Sequence, residues 1–383
     1  MLSLLRTSTR RLPSAISSLL STRTLAMAAN NLKSGELSEC AVLCIADLQK
    51  HFNSITTIIV TIERITHADN PTTEVIYDIK EDRTAPNDFF LIYPRGSYTG
   101  ARTVHRHSIM DLSSHIDRIA TSLQLMTFTP DAAASESEDV SRALAPFRDR
   151  DTLARLLVPM LKTGLRKYYE VEEKPSGEDM ETKVSVVVAY SFEESRARFA
   201  AHFAPLPAPY SGRIRVEMEG EPRKLAGAKD SQWVRDRKNL ELTKSPCVNE
   251  VLLSNPETGD IYEGLSSNFF AIYRGEAGTG QPATVRTAPL EYVLQGTIMK
   301  AVVAVCEREG IPIEWAFPTI GDAKKGKWEG AFVSSTSRLV LPIESIHFRD
   351  EKPSITFPNP SPVVDHIREE VRKEIVKRAY RIL

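Results

Sequence analysis

The feature that most constrains this 383-residue chain is a set of apolar runs in its second half, each breaking abruptly into glycine, serine, threonine or asparagine. Tyr262-Glu263-Gly264-Leu265-Ser266-Ser267-Asn268 leads into Phe269-Phe270, a turn that opens an apolar strand. Arg286-Thr287-Ala288-Pro289 precedes Val293-Leu294-Gln295-Gly296-Thr297-Ile298, after which Ile298, Val302, Val305 and Cys306 recur at helical spacing over Met299 to Glu309. Gly330-Ala331-Phe332-Val333 reads as a buried strand and ends in four hydroxyl residues, Ser334 to Ser337. Upstream of all three, Ala228-Lys229-Asp230-Ser231 places a lysine 34 residues (263 − 229) before Glu263.

A lysine and a distant acid are what pyridoxal phosphate (PLP) requires of a protein. The amine forms a Schiff base with the aldehyde, and the acid keeps the pyridine nitrogen protonated so that the ring can draw in electrons. Gly296 and Thr297 at the start of a helix offer free backbone N–H groups and a hydroxyl to an anion. The hydroxyls at Ser335 and Thr336 are a second clamp for a phosphate.

With these segments in this order, the chain resembles the fold-type IV PLP enzymes: branched-chain and D-amino-acid aminotransferases and aminodeoxychorismate lyase. Their C-terminal domain carries a lysine, then E-G-x-x-x-N-x-F, then T-x-P…L-x-G-I-T, then a strand ending in S-G or S-T. All four occur here between Lys229 and about Ile346. The resemblance implies an α/β (α+β) fold of two domains, D-amino-acid aminotransferase-like, with PLP in the interdomain cleft. It implies transamination of an amino acid with a 2-oxo acid through Lys229, with Glu263 against the ring nitrogen. Family spacing selects Lys229 over Lys238, which lies only 25 residues (263 − 238) before Glu263. Asn268 is expected to fix its turn through side-chain-to-backbone bonds, and Gly296, Thr297, Ile298, Ser335 and Thr336 to surround the phosphate. In the first half, Gly100-Ala101-Arg102 matches a family strand whose arginine binds phosphate, and His115-Ile116-Asp117-Arg118-Ile119 matches the H-x-x-R-L helix that follows it. The planar fork of Arg102 suits a phosphate. The alternative for Arg102 is a surface residue on an edge strand. The family is usually a homodimer.

Two departures bear on the chemistry. Trp233 and Val234 stand where branched-chain enzymes have Asn-Tyr, so the tyrosine that touches the ring hydroxyl is missing and the D-amino-acid group is the better match. G-I-T-R reads Gly296-Thr297-Ile298-Met299, so the phosphate hydroxyl must come from Thr297. Two other functions stay open: aminodeoxychorismate lyase, which eliminates pyruvate to give 4-aminobenzoate, and a catalytically silent binding protein on the same fold.

Net charge near zero, 49 basic against 50 acidic residues, argues against a nucleic-acid partner. No stretch approaches the length of a membrane span. Cys40-x-x-x-Cys44 has no second Cys/His pair nearby, so no metal site is expected. Residues 1–30 carry Arg6, Arg10, Arg11 and Arg23 among serines and threonines, with no acid before Glu36. That is the composition of a transit peptide, with the mitochondrial matrix the first expectation and plastid or cytoplasm the alternatives; Met27 offers an internal start. The remainder divides into an N-terminal α/β domain over 35–205, a linker over 206–212 (Leu-Pro-Ala-Pro-Tyr-Ser-Gly) and a PLP-binding domain over 213–383. Within it, Thr56–Ile65 and Phe89–Tyr93 read as β-rich, 131–139 as a surface loop, Thr152–Tyr169 as helix, Lys183–Tyr190 as strand and Ser361–Leu383 as an amphipathic helix.

Overall fold

A computed structural model describes residues 56–66, 74–130, 135–172, 180–275, 282–349 and 354–383. The basic leader, Met27, Cys40 and Cys44 lie outside the described residues, as do residues 131–134 of the acidic loop. The chain runs through β1 (Thr57–Thr66), β2 (Glu74–Asp82), α1 (Phe89–Ile92), β3 (Gly96–Val104), β4 (Ser108–Met110), α2 (Leu112–Leu125), α3 (Glu138–Arg148), α4 (Arg150–Val171), β5 (Glu181–Ser191) and β6 (Arg196–Leu206). It continues as β7 (Ile214–Met218), α5 (Gln232–Asp236), α6 (Lys238–Thr243), β8 (Glu250–Ser254), β9 (Ile261–Gly264), β10 (Asn268–Tyr273), β11 (Thr284–Thr287) and α7 (Thr297–Glu309). The last elements are β12 (Ile313–Trp315), α8 (Ile320–Lys324), β13 (Trp328–Ser335), β14 (Leu339–Phe348), β15 (Ile355–Thr356), α9 (Pro362–Lys377) and β16 (Ala379–Arg381).

Two sheets divide these strands. The first has seven, in the order β16-β4-β3-β5-β6-β1-β2. Its β5 carries four β-branched residues, Val184 and Val186 to Val188, and is buried on both faces. One face is covered by α2, α3 and α4. Ile116, Ile119 and Leu123 of α2 and Leu153, Leu157, Met160, Leu161 and Leu165 of α4 recur at helical spacing and bury together. A Cβ on Gly164 would lie 2.1 Å from the Phe203 ring, so α4 packs on β6 only because residue 164 has no side chain.

The second sheet runs β12-β11-β10-β13-β14-β7-β8-β9, with β15 beside β14. A further pairing of β9 with β10 closes the last six members of the path from β10 into a barrel. The closing pair is Asn268 opposite Glu263, two residues that the sequence marks for chemistry. Helices α7 and α9 cover this sheet. Residues 207–213, between β6 and β7, carry no regular structure.

Three expectations are corrected. Phe89–Tyr93 is a helical turn instead of a strand: Pro86 and Asn87 start a turn in which the Phe89 N–H reaches the Ala85 carbonyl, and both phenylalanines bury together. Glu138 and Asp139 are the first turn of α3, capped by Ser137, instead of the end of a loop. The last helix stops at Lys377. Ala379, Tyr380 and Arg381 then pair with Met110, Ile109 and Ser108, because the open edge of β4 is available to them. Arg102 is not on an edge either; β3 lies between β4 and β5.

Candidate active site

Lys229 is placed by the start of β3. The Tyr98 N–H donates to the Lys229 carbonyl at 2.9 Å and the Ser231 N–H to the Gly96 carbonyl at 2.8 Å, with an antiparallel bridge between Ser97 and Asp230. The Lys229 N–H donates to Ser122 Oγ of α2, and Arg95 pairs with Asp230 at 2.7 Å. This ladder holds the lysine backbone rigidly while its amine lies 4.9 Å from the centre of the Tyr98 ring. Burial pushes the Lys229 amine below its usual range, Tyr98 opposes that, and Arg118, Arg223 and Arg237 add to it. The Tyr98 hydroxyl sits below the usual phenol range: burial raises it, and Lys229, Arg237 and Arg223 outweigh that. A phenol therefore stands beside the lysine, supplied by β3 and not by the position after the lysine where branched-chain enzymes carry one.

Glu263 lies in β9, next to its last residue, and is 4 % exposed. Its Oε1 accepts from Arg223 Nε at 2.7 Å, with Nη2 at 2.6 Å, and its Oε2 accepts from the Leu294 N–H at 3.3 Å. Arg223 is itself fixed by the carbonyls of Ala226 and Ala228 and lies over the Trp233 ring. Burial pushes the Glu263 carboxyl up; Arg223, the Leu294 N–H and Lys229 pull against it. The Asn268 amide donates to the Leu294 carbonyl at 2.7 Å instead of to its own turn. Glu263 and Asn268 thus grip both polar groups of Leu294 and set the approach to α7.

Gly296 caps α7 with no side-chain hydrogen bond. The first return bond is Lys300 N–H to Gly296 carbonyl, which leaves the N–H groups of Thr297, Ile298 and Met299 without helical partners. A Cβ on Gly296 would come within 2.3 Å of Asn268 Oδ1, so only glycine fits there. Thr297 Oγ1 and Thr336 Oγ1 are 3.0 Å apart. Ser334 Oγ is buried without a partner, and Ser335 Oγ accepts from the Arg338 N–H. Arg118 donates to the Gln295 carbonyl at 2.9 Å, and burial pushes its guanidinium down to about 10, which still leaves it charged near neutrality.

One cavity of about 460 Å³, open mouth included, is lined by Lys229, Glu263, Asn268, Gly296, Thr297, Ile298, Ser335 and Thr336. Arg102 is not in its wall; its Nη1 reaches the Thr336 carbonyl at 3.4 Å from behind. The arginine in the wall is Arg118, the R of the H-x-x-R pattern. Trp233 and Ser334 also line the cavity, as does Arg223, which belongs to no motif; Tyr98 stands next to Lys229. The donor set fits a phosphate-bearing aldehyde cofactor. The cavity wall holds an amine, a carboxylate, an uncapped helix start, the Arg118 guanidinium and an unpartnered Ser334 hydroxyl.

The amino-transferase class IV family matches residues 96–346. The chain belongs to that family. Solved structures of class IV aminotransferase type share the fold. A branched-chain aminotransferase from Thermoproteus uzoniensis has 15 % identity and a TM-score of 0.58, over 86 % of this chain and 100 % of that one. A PLP-bound hypothetical aminotransferase from Mycobacterium tuberculosis has 16 % identity and a TM-score of 0.56, over 84 % and 99 %. A fold IV transaminase from Curtobacterium pusillum gives 16 % and 0.56, over 82 % and 98 %. No curated protein matches this class IV chain by sequence.

Proposed function

We propose that this protein transfers an amino group from an amino acid to a 2-oxo acid with PLP, carried on Lys229. The supporting observation is that the Lys229 amine, the Glu263 carboxylate and the uncapped start of α7 line one cavity. When bound, PLP supplies an electron sink for the charge that develops when the substrate loses its Cα proton. Lys229 takes that proton and returns it, and its lowered pKa keeps a fraction of the amine unprotonated for the task. Glu263 holds a negative charge against the pyridine nitrogen, with Arg223 fixing its orientation. Arg118, Thr297, Thr336, the Ser334 hydroxyl and the N–H groups of α7 hold the phosphate. Arg102 supports Thr336 from outside the cavity and takes no phosphate contact. The family resemblance supports a homodimer, and the basic leader supports a mitochondrial location.

The test is a single-turnover mix of PLP-loaded protein with D- and L-amino acids. Loss of the yellow band with one 2-oxo acid released per site, and its return on adding a different 2-oxo acid, is the expected outcome. Pyruvate and 4-aminobenzoate formed from aminodeoxychorismate without return of the amino group would replace transamination by the lyase reaction. A protein that binds PLP and changes with no amine would be a binding protein.

A further inference from the structure

Tyr98, Gly100 and Arg102 alternate onto one face of β3. The antiparallel register with β5 sets Val187, Ser185 and Lys183 directly opposite them, on that same face. The face borders the reaction site at two points: the Tyr98 ring lies against the Lys229 amine, and Arg102 reaches the Thr336 carbonyl. Gly100 sits between those points. A Cβ built there would meet no heavy atom within 4 Å, and Gly100 is the only residue of β3 that is not buried. The sheet therefore leaves an open space over Gly100, walled by Tyr98, Arg102, Lys183 and Ser185.

Several polar atoms around this space lack partners. Ser185 Oγ and Arg102 Nε are buried without a hydrogen bond. The Lys183 ammonium has no hydrogen-bond or ion-pair partner among the described residues, and the charges acting on it, Arg237, Arg338 and Lys229, are all positive. Burial first, and then those cations, push it down to about 8. Arg237 and Arg338 have their own carboxylates, Glu241 and Glu250; Lys183 has none. Ser185 and Arg102 are buried, and an unpaired buried donor is costly. Lys183 is half-buried, so its ammonium is open to an incoming group. An anion entering the space would pair with all three.

We propose that the space over Gly100 is a subsite for a substrate carboxylate, bound by Lys183 with Arg102 and Ser185 beside it. The proposal rests on the transaminase reading and names the residues of that site that take a substrate carboxylate. The carboxylate comes either from the amino acid's side chain or from the group common to all amino acids.

The test measures binding of unreactive acids by calorimetry to the PLP-loaded protein: glutarate with two carboxylates and valerate with one. Loss of a charged hydrogen-bond partner should cost about ten-fold or more in affinity. If the subsite takes a side-chain carboxylate, Lys183→Met weakens glutarate by about that factor and leaves valerate unchanged, and Lys183→Arg restores most of it. If it takes the common carboxylate, Lys183→Met weakens both acids alike, and the subsite still stands. Gly100→Val, which fills the space without touching a charge, should weaken the same acid or acids. Unchanged binding of both acids to Lys183→Met would overturn the proposal. The yellow band of each protein is recorded first. Its absence from the unsubstituted protein sinks the transaminase reading, whereas its presence with unchanged acid binding sinks the subsite alone.

Discussion

Among single residues, Lys229 was singled out by the family's spacing between its lysine and the E-G-x-x-x-N turn, which this chain reproduces with Glu263 34 residues on. The family resemblance assigned the phosphate to Arg102 and gave Arg118 no role. Both follow the glycine-rich start of β3, and only the packing of α2 beside α7 puts Arg118 in the cavity wall while β3 carries Arg102 behind Thr336. Arg223 was invisible for a different reason. It sits in a basic run, Arg223-Lys224, that reads as a solvated surface, and its role depends on a carboxylate 40 residues away. That role can be tested. Burial raises the Glu263 carboxyl and Arg223 is the strongest influence opposing it. Arg223→Gln should therefore raise the Glu263 pKa and leave more of it protonated at neutral pH. Because the ionised form is the active one, kcat should fall by about ten-fold or more at pH 7 and recover as pH rises through the new pKa. A uniform loss at every pH would point to misfolding instead of charge.

Elements were legible where one period dominated. The apolar stripe of α4 and the β-branched run of β5 each allow a single reading. Short elements were not, because α1 and β16 take their conformation from partners distant in sequence. Helix α3 shows how such an element is fixed. Glu136, just ahead of it, accepts two hydrogen bonds from Arg148 at its far end, and others from the Phe128 N–H and Ser141. Arg148 above all holds the Glu136 carboxyl down to about 2. A depressed carboxylate stabilises the fold above its unfolded pKa, and this contribution disappears as pH falls from the ordinary glutamate range toward 2. Glu136→Gln should cost on the order of 2 kcal/mol at pH 7 and progressively less below pH ~4. Urea midpoints at pH 7 and pH 3 would show it; an equal deficit at both would mean that the charge is not the cause.

For the whole molecule, a two-domain α/β fold was expected only through the family resemblance, and the sheets themselves were not legible, since nothing local announces that β9 and β10 will close a ring. The closure explains why the motifs occur together. The Glu263–Asn268 pair that completes the barrel also grips Leu294 and aims the start of α7 at the cavity. The first sheet delivers Lys229 to the same cavity through the β3 bridge. The central claim is that these parts hold PLP on Lys229. The measurement is borohydride reduction of the PLP-loaded protein, followed by peptide mapping. The account predicts that the yellow band bleaches and a pyridoxyl group is left on Lys229, with no such adduct and no band in Lys229→Ala. A pyridoxyl group on Lys238, or a protein that PLP cannot colour, would contradict it.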